Sequence, residues 1–202
     1  IEGNVVKKRE KNCFRIWDEK TKVNQYITSV NIGNGVEIIG KSAFGKLHQL
    51  KEVTLPNGLR KMEDSVFIED SNLKKVNNIE FIYNLGYVPL YTFWRCSSFS
   101  QSIIIPSYVK EIEDGAFCGT GVSNLEIKEG TEKIGSHAFA QMKLNVVVLP
   151  KSVKEIGSVA FAGNPIDTVV IKSKDTKYDD MTFRSTKIGL PNIYEIWKIP
   201  TD

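Results

Sequence analysis

A phenylalanine returns along this chain at nearly constant intervals, at Phe44, Phe67, Phe93, Phe117, Phe139, Phe161 and Phe183, with spacings of 23, 26, 24, 22, 22 and 22 residues. Periods of roughly 20–29 residues match one winding of a solenoid, a unit that becomes stable only when stacked on its neighbours. One elongated body with a continuous core is therefore expected over most of the 202 residues. With 41% hydrophobic and 10% aromatic residues, the chain carries enough apolar surface to fold alone. Its 27 basic and 24 acidic residues are interspersed. No basic cluster marks a nucleic-acid footprint, so nucleic acid is not an expected partner.

The longest apolar run, Val146-Val147-Val148-Leu149, falls far short of the roughly 18 residues needed to span a bilayer. No transmembrane segment is expected. The opening Ile1-Glu2-Gly3 lacks both a Met and an apolar signal core, which reads as the interior of a longer precursor. Cys13, Cys96 and Cys118 form an odd set without metal-ligand spacing and read as small buried hydrophobes.

Aligned on the phenylalanine, each unit carries a phrase with apolar residues three and then two apart: Ile27-Val30-Ile32, Leu50-Val53-Leu55, Val122-Leu125-Ile127, Leu144-Val147-Leu149 and Ile166-Val169-Ile171. Residues two apart in extended chain share a face, so the end of the phrase is a short strand pointing its Leu, Val and Ile inward. Successive strands should pair in parallel. A turn follows, as Pro56-Asn57-Gly58, Pro106-Ser107, Pro150-Lys151-Ser152 or Gly33-Asn34-Gly35, where proline ends the ladder. Then come a second apolar pair (Val36 with Ile39, Leu59 with Met62, Val109 with Ile112, Val153 with Ile156), a small residue such as Ala43, Ala116, Ala138 or Ala160, and the phenylalanine. A small residue beside a large ring suits a tight corner at core packing density.

The phrases Ile112-Glu113-Asp114-Gly115-Ala116-Phe117, Ile134-Gly135-Ser136-His137-Ala138-Phe139 and Leu149-Pro150-Lys151-Ser152-Val153-Lys154-Glu155-Ile156-Gly157-Ser158-Val159-Ala160-Phe161 resemble the BspA-type leucine-rich repeat, the class also found in Treponema surface proteins. The resemblance covers about residues 27–190. It implies a right-handed leucine-rich-repeat solenoid with a parallel β ladder on its concave face and short helical or irregular convex segments. It also implies a secreted or surface-displayed protein engaged in adhesion or protein binding. The family's usual Cys three residues after the phenylalanine stands here only as Cys96, the other positions being Leu47, Asp70, Thr120, Met142, Asn164 and Thr186. The unit between Phe67 and Phe93 is longer and reads Val76-Asn77-Asn78-Ile79-Glu80-Phe81 where Leu-Pro is expected, so it is the least regular coil. The domain reading is an N-terminal cap over 1–26, a hairpin around Phe14, Ile16 and Trp17, then about seven coils over 27–187. A C-terminal cap over 188–202 holds Ile188, Leu190, Ile193, Ile196, Trp197 and Ile199. Caps are needed because terminal coils otherwise expose their cores.

Strand positions alternating with the buried ones line the inner curve: Ser29, Asn31, Glu52, Thr54, Lys75, Asn77, Ser102, Ile104, Asn124, Glu126, Val146, Val148, Thr168 and Val170. Such a ladder presents one repeated backbone with variable side chains and is the usual binding surface of solenoids. Its apolar members, Ile104, Val146, Val148 and Val170, are expected to form an exposed stripe for a partner. The competing reading is that β-branched residues favour strands and pack across rungs. A second candidate surface is the aromatic group Phe81, Tyr83, Tyr87, Tyr91 and Trp94 around the irregular coil, since Tyr and Trp dominate binding hot spots; a local core closing the lengthened loop is its alternative.

Catalysis finds no support. His48 and His137 fall at different places in the coil and about four coils apart, and no phosphate loop, nucleophile elbow or oxygen-ligand loop is present. Lys110-Glu111 and Lys154-Glu155 read as a solvated outer face. No enzyme activity, cofactor or metal is expected. The reading is a non-enzymatic module that binds a protein, a host or matrix protein among the candidates, or a glycan. Its competitor is a structural spacer or stalk of a larger surface protein.

Overall fold

The end of each Leu-x-x-Val-x-Leu phrase becomes a strand, and the strands lie side by side. The computed structural model describes residues 26–188. Its first ladder holds β1 (Ser29–Asn31), β3 (Glu52–Thr54), β5 (Lys75–Asn77), β7 (Ile103–Ile105), β9 (Leu125–Ile127), β11 (Val146–Leu149) and β13 (Thr168–Ile171). The pairs β1–β3, β3–β5, β7–β9 and β11–β13 are all parallel. Register is strict, so Val30, Val53 and Val76 stack in one file and Asn31, Thr54 and Asn77 in the next. The turn after the strand closes on itself, with the Val109 N–H donating to the Pro106 carbonyl and the Val153 N–H to the Pro150 carbonyl. Proline's missing donor costs nothing there.

The segments beyond that turn are short and largely irregular, as the resemblance implies, but part of each is extended. These parts form a second parallel ladder of two-residue strands: β2 (Ile38–Ile39), β4 (Lys61–Met62), β6 (Tyr87–Val88), β8 (Glu111–Ile112), β10 (Lys133–Ile134) and β12 (Glu155–Ile156). Strands β6, β8, β10 and β12 make one four-stranded sheet. The second residue of each pair is buried and the first points outward. The only α-helix among the described residues is one turn, α1 (Glu80–Tyr83), in the lengthened unit.

A third set of hydrogen bonds runs up the corner that carries the phenylalanine. The Phe44 N–H donates to the Val66 carbonyl, Phe67 to Thr92, Phe93 to Ala116, Phe117 to Ala138, Phe139 to Ala160 and Phe161 to Thr182. Residues two before and two after the ring make the same kind of bond to the next coil, as Ser65 to Leu90 and Glu69 to Trp94. To aim these N–H groups, both flanking residues adopt positive φ: Ser65 at 61° and Glu69 at 61°, Tyr91 at 52° and Arg95 at 58°, His137 at 58° and Gln141 at 55°. Only Gly115, Gly119 and Gly163 meet this demand with glycine. The β-branched Val159, at 53°, is the most strained.

Seven rings then fall into one column. Consecutive centroids from Phe44 to Phe183 are 5.8, 5.5, 5.4, 5.6, 5.3 and 5.3 Å apart, with interplanar angles of 19° or less. Phe99 stacks beside Phe93 at 4.7 Å, filling the wider coil. All are buried, and each such ring contributes about 2–3 kcal/mol by burial.

The lengthened unit interrupts the first ladder. Strand β5 ends the sheet β1-β3-β5, and β7 begins another with β9. Between them the Val76 N–H is satisfied by the side-chain carbonyl of Gln101 at 3.0 Å. Three residues after each phenylalanine lies a buried column that includes Leu47, Asp70, Cys96, Thr120, Met142 and Asn164. Several of its polar members bond backbone: Asp70 accepts from the Leu47 N–H at 2.7 Å, Cys96 Sγ donates to the Phe67 carbonyl, and Asn164 Nδ2 donates to the Phe139 and Phe161 carbonyls. Apart from Tyr26 and Ile188, the two expected caps lie outside the described residues; Ile188 packs against the core.

Candidate partner-binding face

Period-two alternation puts the outward residues of the first ladder on one face, and parallel register turns them into files. Glu52, Lys75, Ser102, Asn124, Glu126 and Thr168 are exposed, while Thr54, Asn77 and Val170 are half-buried. The early coils form a polar network, in which Asn77 Nδ2 donates to Glu52 Oε1 at 2.7 Å and to Thr54 Oγ1 at 3.1 Å.

The late coils differ in kind. Val146 faces Thr168 and Val148 faces Val170 across a hydrogen-bonded β11–β13 pair. Val146 is 50% exposed and Val148 42%, values belonging to open surface. Ile104, at 51%, is equally open but stands apart. It pairs with Glu126, whose carboxylate binds the Lys128 ammonium. The expected stripe of four apolar residues is thus a compact valine patch plus a lone isoleucine, divided by an ion pair.

The aromatic group also divides. Tyr83 is buried at 4% exposure by α1, which turns Ile82 and Tyr83 inward, and burial raises its phenol well above the ordinary range. It offers no ring to a partner. Phe81 is half-buried and packs against the core. Tyr87 belongs to the second ladder, paired with Glu111. Tyr91 and Trp94 do meet, edge to face at 5.0 Å, with the Arg95 guanidinium 6.0 Å from the Trp94 ring and His137 6.3 Å from it. Both rings lean over Gly115, where an added Cβ would come within 2.4 Å of Tyr91 and 2.6 Å of Trp94. Arg95, His137 and Gly115 were not read as part of this corner from the sequence. The signal was there: Gly115 stands in the column of Tyr91 and His137, so coil-by-coil alignment shows a gap that large neighbours can fill.

The Lys-Glu pairs prove ordered. On the outward face of the second ladder, Tyr87, Glu111, Lys133, Glu155 and Lys177 form one file. Lys133 binds Glu111 at 2.8 Å. In the neighbouring file Glu132 sits between Lys110 and Lys154, binding both. These pairs are solvent-exposed and screened by water and salt, so they add little to stability. On the same face Lys61 holds the Glu63 carboxyl below its usual range by hydrogen bonding, whereas burial raises that of Glu113.

Among the described residues, no three His, Cys, Asp or Glu side chains converge as a metal site would require. No helix among them is long and apolar enough to cross a membrane. The face can present shape, backbone regularity and an apolar patch.

Parallel strands stacked at a corner of phenylalanines define a leucine-rich-repeat β-solenoid. The chain belongs to the BspA type leucine rich repeat region family, whose model matches in 6 copies over residues 19–122 and 110–199. Among solved structures it is similar to a leucine rich cell surface protein from Faecalibacterium prausnitzii, with 22% identity and a TM-score of 0.54 over 73% of this chain and 39% of that one. It is also similar to a leucine-rich repeat protein from Bacteroides ovatus, with 16% identity and a TM-score of 0.52 over 80% of this chain and 52% of that one. These likenesses concern the fold, and the chain spans from two fifths to about half of each structure's length. Comparison with curated proteins finds no match.

Proposed function

We propose that this chain is a non-enzymatic binding module of a secreted or surface-displayed protein, recognising a partner protein through the outward face of its first ladder. The observation that carries the reading is the patch of Val146 and Val148, open on a paired sheet with the half-buried Val170 beside them. Exposed β-branched residues on a preorganised surface supply apolar contact at little entropic cost. The polar network of Glu52, Thr54 and Asn77, with Lys75, Ser102, Asn124, Glu126 and Thr168 beside it, sets which partner fits. Tyr91 and Trp94 provide a second contact at the corner. Membership of the family and the likeness to a cell surface protein of Faecalibacterium prausnitzii support placing the protein outside the cell.

The test is binding of the wild type and of the Val146→Asp/Val148→Asp double variant to candidate surface and matrix proteins, with circular dichroism to verify folding. A folded variant that loses at least about tenfold in affinity is expected. Equal binding by the folded variant removes the valine patch from the interface. If the wild type itself binds no protein or glycan, the spacer reading takes its place.

A further inference from the structure

The first two described turns each carry an asparagine followed by glycine, Asn34-Gly35 and Asn57-Gly58, at equivalent positions in adjacent coils. Asn-Gly is the dipeptide whose backbone most readily closes on its own side chain, because no Cβ hinders the glycine nitrogen. Both asparagines are exposed, yet their surroundings differ. The Asn34 side-chain carbonyl accepts the Asn57 N–H at 3.3 Å, and Gly58 lies against the Asn34 backbone carbonyl, where an added Cβ would stand 3.1 Å away. Among the described residues, the Asn57 side chain and the Gly58 N–H have no hydrogen-bond partner. The glycine nitrogen is without a partner in both turns among the described residues, so the side chain makes the difference: that of Asn34 is tied to the next coil, and that of Asn57 is free.

We propose that Asn57 is a site of spontaneous deamidation and that Asn34, one coil earlier, is its protected counterpart. The Gly58 nitrogen, losing its proton to solvent, attacks Asn57 Cγ. A C–N bond forms to the glycine nitrogen, the bond to the side-chain nitrogen breaks, and ammonia leaves a cyclic imide. Water then opens either carbonyl, giving aspartate or the β-linked isoaspartate; no oxidant or reductant enters. At Asn34 the same closure must first release the hydrogen bond to Asn57.

The repeat itself indicates how a new carboxylate at this position is received. Glu129 occupies the equivalent place in a later coil, and its carboxylate accepts the Lys151 and Ser152 N–H groups of the following turn at 3.0 and 3.1 Å. Those bonds hold the Glu129 carboxyl below its usual range. An acid in this column is therefore compatible with the fold. Deamidation of Asn57 adds a negative charge at the rim of the first ladder while leaving the coils stacked.

The folded chain is incubated at mildly alkaline pH and mapped by peptide mass spectrometry with separation of isoaspartyl peptides, beside a sample held in denaturant. Conversion at Asn57 several-fold faster than at Asn34 in the folded chain, with the two rates drawing together in denaturant, is the expected result. Gly58→Ala, checked by circular dichroism, is expected to suppress conversion at Asn57. Equal rates in the folded chain, faster conversion at Asn34, or no conversion at Asn57 where the denatured chain converts both would each overturn the assignment.

Discussion

Asp70 is the least expected residue of the interior column. It is fully buried, one oxygen held by the Leu47 N–H, with Cys96 as its neighbour from the following coil. Desolvation disfavours its charged form and lifts its pKa from 3.8 to about 9, opposed only by the backbone N–H groups of Leu47 and Lys46. The sign follows from linkage. The folded state retains a proton that the unfolded state has lost, so this residue costs nothing below pH 3.8 and costs progressively more as pH rises toward about 9. Asp70→Asn keeps an oxygen for the Leu47 N–H and removes the titration. Denaturant melts across that window should show stability falling with pH in the wild type relative to the variant, most clearly above neutrality; parallel curves would refute the buried acid. Gly130 is a second point of constraint, with φ at 125° and an added Cβ lying 1.9 Å from the Ser107 carbonyl oxygen. Gly130→Ala should destabilise by about 1–3 kcal/mol from backbone strain alone, and further through the clash, measured as a lowered urea midpoint.

At the scale of the element, the two ladders differ in how they are written. The first was legible because the Val-x-Leu that ends each phrase alternates over three or more residues, and the inward and outward sets follow from the pleat. The second was not, because its strands are two residues long and its apolar pairs, such as Val109 and Ile112, stand three apart, a spacing with no period-two signature. Ile104 shows the same limit at the candidate site. Its exposure could be read within one strand, but its separation from Val148 depends on Glu126 in the intervening coil. Of the two readings open for Tyr83, binding surface or local core, one turn of helix decides for the core by carrying it inward. The charge files permit a direct test. Lys133 lies between Glu111 and Glu155 in the second ladder, so Lys133→Glu sets a third carboxylate among them. It should cost about 0.5–1 kcal/mol, with Lys133→Gln intermediate and the loss reduced by added salt. A salt-independent loss would point to packing instead.

The whole molecule is held by contacts between adjacent coils, and the phenylalanine column is the feature that crosses all of them. The regular return of the ring carried this architecture into the sequence, and the stacked centroids bear it out. Phe139 has a ring above and below it, whereas Phe44, among the described residues, stacks on Phe67 alone. Phe139→Ala should therefore cost about 3–5 kcal/mol through the cavity it leaves, and Phe44→Ala less, in thermal or urea unfolding. Equal losses would mean that burial alone, without stacking on both sides, sets the contribution. The corner bonds carry a last consequence. Every one described sends its N–H toward the following winding and receives one on its carbonyl from the preceding winding, so the peptide dipoles add instead of cancelling, as they do along a helix. The stack has two unlike poles, donor-rich beyond Phe183 and acceptor-rich before Phe44. A segment seated on the first must bring oxygens, and one seated on the second must bring N–H groups; the two are not interchangeable.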